Sequence, residues 1–289
     1  IAGVGKITQT STKEYGTWIW TPILEMSDKY IDSIISGAKQ NGINTIYVSV
    51  DSYLDIYVMP NDAEKEKKKK EFSDKLGYFV SQARKNNIAV DAEAGWRNWA
   101  EDDNQYKAFS IVNFVKKFNS KELYGFRGFQ YDIEPYLLAT YKKDQASVLK
   151  NYLSLLDQTI KLLGTNDLKF SVVIPAFYDR TQNPTSPFEY DGKNDYAYNH
   201  ILDILENRLG SEIIVMSYRN FADGDDGSID ISNTEVAEAT NGMYSTKIII
   251  AQETGDVLPP YVTFNNTNKN YYSKQIEKIN SAFDYYSNF

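Results

Sequence analysis

Gly128-Phe-Gln-Tyr-Asp-Ile-Glu134 is the stretch on which the reading of this chain turns. It is a short β-rich run, and apolar residues recur at helical spacing on both sides of it. Ile111, Val112, Val115 and Phe118 lie before it, and Val148, Tyr152, Leu155, Leu156 and Leu163 after it. A strand framed by two amphipathic helices is the repeating unit of a parallel α/β sheet. Working outward, the same alternation predicts strands at 17–20, 45–51, 88–94, 128–133, 169–176, 212–218 and 247–252. The other helical stripes are Ile31, Ile34, Ile35 and Ala38; Phe72, Leu76, Phe79, Val80 and Ala83; and Ile276, Ile279 and Phe283.

Strands recur at intervals of roughly 30 to 45 residues, and no Gly-rich phosphate loop follows the first, so the pattern favours a (β/α)8 TIM barrel over a doubly wound nucleotide fold. An eighth strand is not evident. The last helix runs to about Ser287, and three explanations stay open: a trimmed chain, an open barrel, or a gap filled by Ile1 to Ile7. No Pro/Ser-rich linker divides the halves, so residues 1–289 read as a single domain. Polar loops at 52–61, 95–104, 178–193, 220–230 and 254–270 all follow strands, the face on which such barrels carry their active sites.

Composition narrows the chemistry. The 289 residues are 42% hydrophobic, enough for a large core, and the net charge of −8 argues against a nucleic-acid partner. The basic run Lys65 to Lys70 reads as a solvated helix face. With no cysteine and a single histidine, His200, set in an amphipathic helix, thiolate chemistry, a Ser-His-Asp triad and a multi-histidine zinc site are all disfavoured. Acid-base work falls to carboxylates and tyrosines, with no cofactor expected. No apolar run is long enough for a membrane span, and the absence of an initial Met suggests a mature or trimmed form. Abundant Lys, Asn and Tyr without Cys suit an exported bacterial protein, secreted or at the cell surface.

Residues two apart on a strand share a face, so Gln130, Asp132 and Glu134 should project together toward the barrel axis, with Glu134 at the rim. A barrel interior is normally filled by branched apolar side chains, and clustered carboxylates raise one another's pKa until one serves as a protonated acid near neutrality. Glu253 ends the seventh predicted strand at the equivalent level. Two strand-end carboxylates flanking a bond are what glycoside hydrolysis requires; the alternative for Glu253 is a structural carboxylate before a Gly turn. Tyr218, on the sixth predicted strand and followed by Arg219, either hydrogen-bonds a sugar or packs in the core. Trp96, next to Arg97, offers a face on which a sugar ring can stack. One of Trp18 and Trp20 is expected to face the barrel and the other the helices, and Trp20 is assigned to the pocket as the nearer to the carboxyl end. Asp51, Asp91 and Glu93 end the second and third predicted strands, where they bind sugar hydroxyls or cap loops.

The run from Phe126 to Glu134 resembles the fourth-strand signature of the chitinase-like family 18 glycoside hydrolases, and Met216-Ser-Tyr218 resembles that family's sixth-strand element. The resemblance implies Glu134 as the acid, Asp132 as the residue orienting a substrate acetamido group, and Tyr218 as its hydrogen-bond partner. Arg127 and Gln130 stand where that family has Asp, and Arg219 where it has Asp or Asn. Glu134 and Glu253 also resemble the acid and nucleophile of the retaining clan whose glutamates end strands four and seven, although Ile133 replaces that clan's Asn. Both likenesses are confined to a few short strand ends. The expectation is a glycoside hydrolase acting on a polysaccharide or glycan, with Glu134, Glu253 and Asp132 catalytic. The competing readings are a non-catalytic carbohydrate-binding barrel, and a metal-dependent lyase or hydrolase using Asp51, Asp91, Asp132 and Glu134 as hard oxygen ligands.

Overall fold

The computed structural model describes residues 13–181 and 185–289. Its main sheet has seven strands: β1 (Gly16–Ile19), β2 (Thr45–Ser49), β3 (Ala89–Ala94), β4 (Gly128–Tyr131), β5 (Lys169–Pro175), β8 (Glu212–Met216) and β9 (Lys247–Ala251). They are hydrogen-bonded in that order and every pair is parallel. The connections carry α1 (Asp28–Gln40), α2 (Tyr53–Tyr57), α3 (Ala63–Lys85), α4 (Gln105–Asn119), α5 (Gln145–Leu163), α6 (Ala197–Leu205) and α7 (Ser228–Asn241), and α8 (Lys269–Phe283) follows the last strand. The result is an α/β, TIM-barrel-like half-barrel.

All seven expected strands are present in the expected order, each ending at or before its predicted limit. Among the described residues β1 and β9 are the sheet's two edges. On the outer side of β9, the Ile248 N–H donates to the Asn288 carbonyl at 2.7 Å, while the Asn288 side-chain amide reaches the Tyr244 and Thr246 carbonyls. The Ile1 to Ile7 segment, one expected filler of the gap, lies outside the described residues.

Local chemistry explains the helix limits. Ser27, Asp62, Asp144 and Asn268 each accept a backbone N–H from the first turn of α1, α3, α5 and α8. α5 stops at Gly164, whose φ of 62° combined with a ψ of −139° only glycine adopts cheaply. The predicted stripes are the buried faces: Ile31, Ile35 and Ala38 on α1, and Phe72, Leu76, Phe79, Val80 and Ala83 on α3.

Two expectations are corrected. The loop at 178–193 contains β6 (Phe188–Tyr190), which pairs antiparallel with β7 (Lys193–Asp195). Asp191 and Gly192 turn this hairpin at φ 49° and 76°, the left-handed geometry for which Asp-Gly is a sequence signal. The basic run is not solvated throughout either, because Lys65 is buried. Its ammonium donates to the Tyr57 and Met59 carbonyls and to Asn61 at 2.7, 2.9 and 3.0 Å, tying the end of α2 to the start of α3.

The sheet separates two apolar clusters. The larger lies between strands and helices, while Tyr47, Val173, Ile214 and Ala251 pack inside the barrel with Trp18, Met216, Tyr218 and Ile249. Below them, at the amino ends of the strands, the interior is charged. Arg127 clasps the buried Asp91 through Nε and a terminal nitrogen at 3.0 and 2.6 Å and reaches Glu14 at 2.7 Å, and Lys169 pairs with Glu212 at 2.6 Å. Removing one partner of a buried pair leaves an uncompensated charge. Arg127→Met is therefore expected to lower unfolding stability by about 3 kcal/mol at neutral pH, and the double variant Arg127→Met/Asp91→Leu by clearly less, as measured by urea denaturation.

Candidate active site

The carboxyl ends of β2, β3 and β4 bring four carboxylates together. Tyr47, Asp91 and Gly128 are successive partners across these strands, so the inward positions above them align: Ser49 beside Glu93, and Glu93 beside Gln130. One row higher stand Asp51 and Asp132, with Glu134 at the rim. Gly95 makes this row possible, because a Cβ there would run into the Asp132 carbonyl oxygen. The same glycine's N–H donates to both Asp51 oxygens at 3.2 and 3.3 Å.

Gln130 projects inward as the alternation requires. It accepts from the Trp18 indole N–H at 2.7 Å and donates to the Ser171 hydroxyl at 3.2 Å, so its amide is satisfied on both sides. Trp18 in turn stacks on Tyr47, with ring centroids 4.7 Å apart. This amide and aromatic layer closes the barrel beneath the carboxylates. Trp18 is thus the inward tryptophan. Trp20, beyond the end of β1, is 56% exposed, so the expected division of the two between barrel and helices fails on the two-residue period itself.

Among the described residues none of the four carboxylates is in an ion pair, and the electrostatics follow from that. Burial, then the charges of Glu134 and Asp51, push the Asp132 carboxyl up to about 7. Burial pushes Asp51 up to about 6 against the opposing pull of the Gly95 N–H. Glu93, 1% exposed, is driven well above the usual carboxylate range by burial and then by Asp51 and Asp132, a rise that Ser49 offsets only in part. Asp132 Oδ1 is buried without a hydrogen-bond partner. Tyr136 donates its hydroxyl to Glu134 Oε1. Tyr218, half-buried, has its hydroxyl pushed up by burial and then by Asp132, Glu253 and Glu134, which puts it between the two sides of the mouth.

The other expected residues divide. Glu253 is at the mouth, but its Oε1 accepts the Thr254 and Gly255 N–H groups at 2.8 and 2.6 Å, the turn-capping role that was its alternative reading. Asp91 is not at the mouth; it lies at the opposite end of the barrel in the Arg127 pair, because its strand position is two residues below Glu93. Arg219 turns away to Asp226, at 3.0 Å from Nε, and lies over the Tyr261 ring. Trp96 is 40% exposed with Lys107 over its face, and Arg97 is exposed beside it. His200 is buried against the Phe188 carbonyl, far from this chemistry in role. Among the described residues no three His, Cys, Asp or Glu side chains are disposed to hold a metal ion. Tyr136 and Ser171 were not singled out from sequence; Tyr136 follows Glu134 by two residues, the one signal that could have found it.

The chain matches no known family model and no curated protein. Among solved structures it is similar to the D-psicose 3-epimerase of Clostridium cellulolyticum, with a TM-score of 0.52 and 10% identity over 95% of this chain and 99% of that one. It is also similar to the spore cortex-lytic enzyme SleL of Bacillus megaterium (TM-score 0.49, 17% identity, 86% and 53% covered) and to an O-GlcNAc hydrolase of Thermobaculum terrenum (0.49, 8%, 84% and 48%). The chain spans about half the length of the last two. At these identities the likeness is one of fold, a TIM-barrel-like architecture.

The raised Asp132 carries a stability consequence. Its ordinary value near 3.8 rises to about 7 on folding, so the folded protein holds a proton that the unfolded chain gives up between those values. Stability at this residue is therefore lost as pH rises from about 4 to about 7. Asp132→Asn is expected to stabilise the protein by about 2 kcal/mol at pH 8 and by almost nothing at pH 4, a crossing visible in thermal melts across that range.

Proposed function

We propose that this protein is a glycoside hydrolase acting on a polysaccharide or glycan, with Glu134 as the general acid/base. One observation carries the reading: Asp132, whose carboxyl is pushed up to about 7 by burial and then by the charges of Glu134 and Asp51, stands beside Glu134 at the mouth. A carboxyl that holds a proton near neutral pH beside a second one at the rim can pass that proton through its neighbour to a glycosidic oxygen and be left as a negative charge beside the sugar.

In this reading Glu134, steadied by the Tyr136 hydroxyl, protonates the leaving oxygen and then draws a proton from the incoming water. The Asp132 carboxylate stabilises the positive charge that develops at the sugar. As the family 18 resemblance implies, it does so through a substrate acetamido group, whose N–H would meet the other Asp132 oxygen, Oδ2, while its carbonyl meets the Tyr218 hydroxyl. Substrate-assisted attack needs no second glutamate, which agrees with the engagement of Glu253 by its own turn. Exposed aromatic residues in the segments that follow β1, β2, β3 and β9, namely Trp20, Tyr57 at the end of α2, Trp96 and Tyr261, would stack on neighbouring sugar units.

The test is hydrolysis of a panel of polysaccharides and aryl glycosides, read by new reducing ends. Glu134→Gln is expected to lower kcat by about 10²- to 10⁴-fold, and Glu253→Gln by less than about tenfold. Activity should fall as pH rises through about 7, where Asp132 gives up the proton it holds beside Glu134. Equal loss in both glutamate variants would transfer the mechanism to the two-glutamate clan. Binding of a glycan by a wild type that never turns it over, unaltered by Glu134→Gln, would leave a carbohydrate-binding barrel instead.

A further inference from the structure

Glu93 is the buried carboxyl that the proposed chemistry does not use. It sits in the inward row of β3 with both oxygens buried, 1% exposed, and neither in a hydrogen bond of ordinary geometry. The neighbours on every side are fixed. Ser49 flanks it on β2 and Gln130 on β4, Asp51 and Asp132 stand in the row above, and Asp91 lies two residues below on its own strand. None of these is a cation. Arg127, a cation of the floor, is held there by Asp91 and Glu14. Gln130 cannot titrate, and its amide is already spent on Trp18 and Ser171.

A carboxylate in such a place would be an unpaired buried charge, which costs several kcal/mol; a carboxylic acid there needs only an acceptor for its hydrogen. An acceptor is at hand, because Asp132 Oδ1 is buried and unpartnered in the row immediately above. We propose that Glu93 is a positioning residue of this site, whose carboxyl keeps its proton and donates the O–H to Asp132 Oδ1. The hydrogen bond holds Asp132 in place and favours its anion at the stage when substrate requires it. The direction of the Glu93 shift, well above the usual range, agrees with a neutral group. A cross-strand donor from β3 thus does what no titratable group at position 130 can. The catalytic consequence rests on the glycosidase reading, whereas the hydrogen bond itself does not.

The experiment follows the titration of Asp132 by carboxyl carbon NMR, assigned by difference from Asp132→Asn, in wild type, Glu93→Gln and Glu93→Leu, with turnover measured on the same samples where a substrate is known. Glutamine is neutral and still a donor, so Glu93→Gln should leave the Asp132 midpoint within about half a pH unit of wild type and kcat within about fivefold. Glu93→Leu removes the donor and should raise that midpoint by about one pH unit and lower kcat by about 10²-fold, with KM little changed. A fall of one pH unit or more in Glu93→Gln would mean that Glu93 is ionised in the wild type, and would overturn the proposal. So would a Glu93→Gln midpoint displaced as far as that of Glu93→Leu. Because Glu93→Gln preserves size and burial, the outcome does not depend on the leucine variant folding. A wild type without turnover but with the expected midpoints would retain this proposal and remove the glycosidase reading.

Discussion

Charge is distributed unequally along the barrel axis, and most of what this molecule can do depends on that inequality. At the amino end of the strands, Arg127 and Lys169 neutralise Asp91, Glu14 and Glu212, so the buried acids there are salts. At the carboxyl end, Asp51, Glu93, Asp132 and Glu134 have no cation among the described residues. Acids of the first kind are held in ion pairs. Of the second kind, Asp51, Glu93 and Asp132 are pushed by burial toward their protonated forms, and a group that keeps a proton near neutrality is a group that can deliver one.

The two ends must be insulated from one another for this to work. Trp18, Tyr47, Gln130 and Ser171 form the insulating layer, in which each polar atom named in a hydrogen bond is satisfied sideways, within the layer. Gln130 is the informative member. An acid in its place would extend the cluster downward toward Arg127 and would be drawn into the salt network of the floor. An amide breaks that path and leaves Glu93, on the adjacent strand, as the lowest acid of the upper group.

Much of this was legible in the sequence. The alternation of β-rich runs with helical stripes gave all seven strands in order, and the two-residue period placed Gln130, Asp132 and Glu134 inside. What failed had physical causes. Trp18 and Trp20 were expected on opposite faces although they are two residues apart; Trp18 lies inside, and the strand ends before Trp20. Asp91 and Glu93 share a face, and only the register of β3 against β4 shows that one belongs to the floor and the other to the mouth. Lys65 looked like one of a solvated run because its acceptors are backbone carbonyls, which composition does not display. Glu253 is at a strand end as read, but the direction of its carboxylate is set by the Thr254 and Gly255 amides, a detail of turn geometry.

The β9 edge, one of the sheet's two edges among the described residues, bears little on the acid group. Asp51, Glu93, Asp132 and Glu134 come from three consecutive hydrogen-bonded strands, β2 to β4, in the continuous part of the sheet and away from the β9 edge. Their mutual geometry is fixed by the ladder and by the close approach at Gly95. Tyr218 and Glu253 come from β8 and β9 and must be held across the mouth by other means. Gln252 donates to the Ser217 carbonyl at 2.8 Å, and Glu253 forms a bridge to Thr263. The acid group is therefore the half of the site fixed by the ladder, while Tyr218 belongs to the half next to the β9 edge. In the glycosidase reading, differences at that edge should bear on how a substrate is gripped far more than on how its proton is supplied.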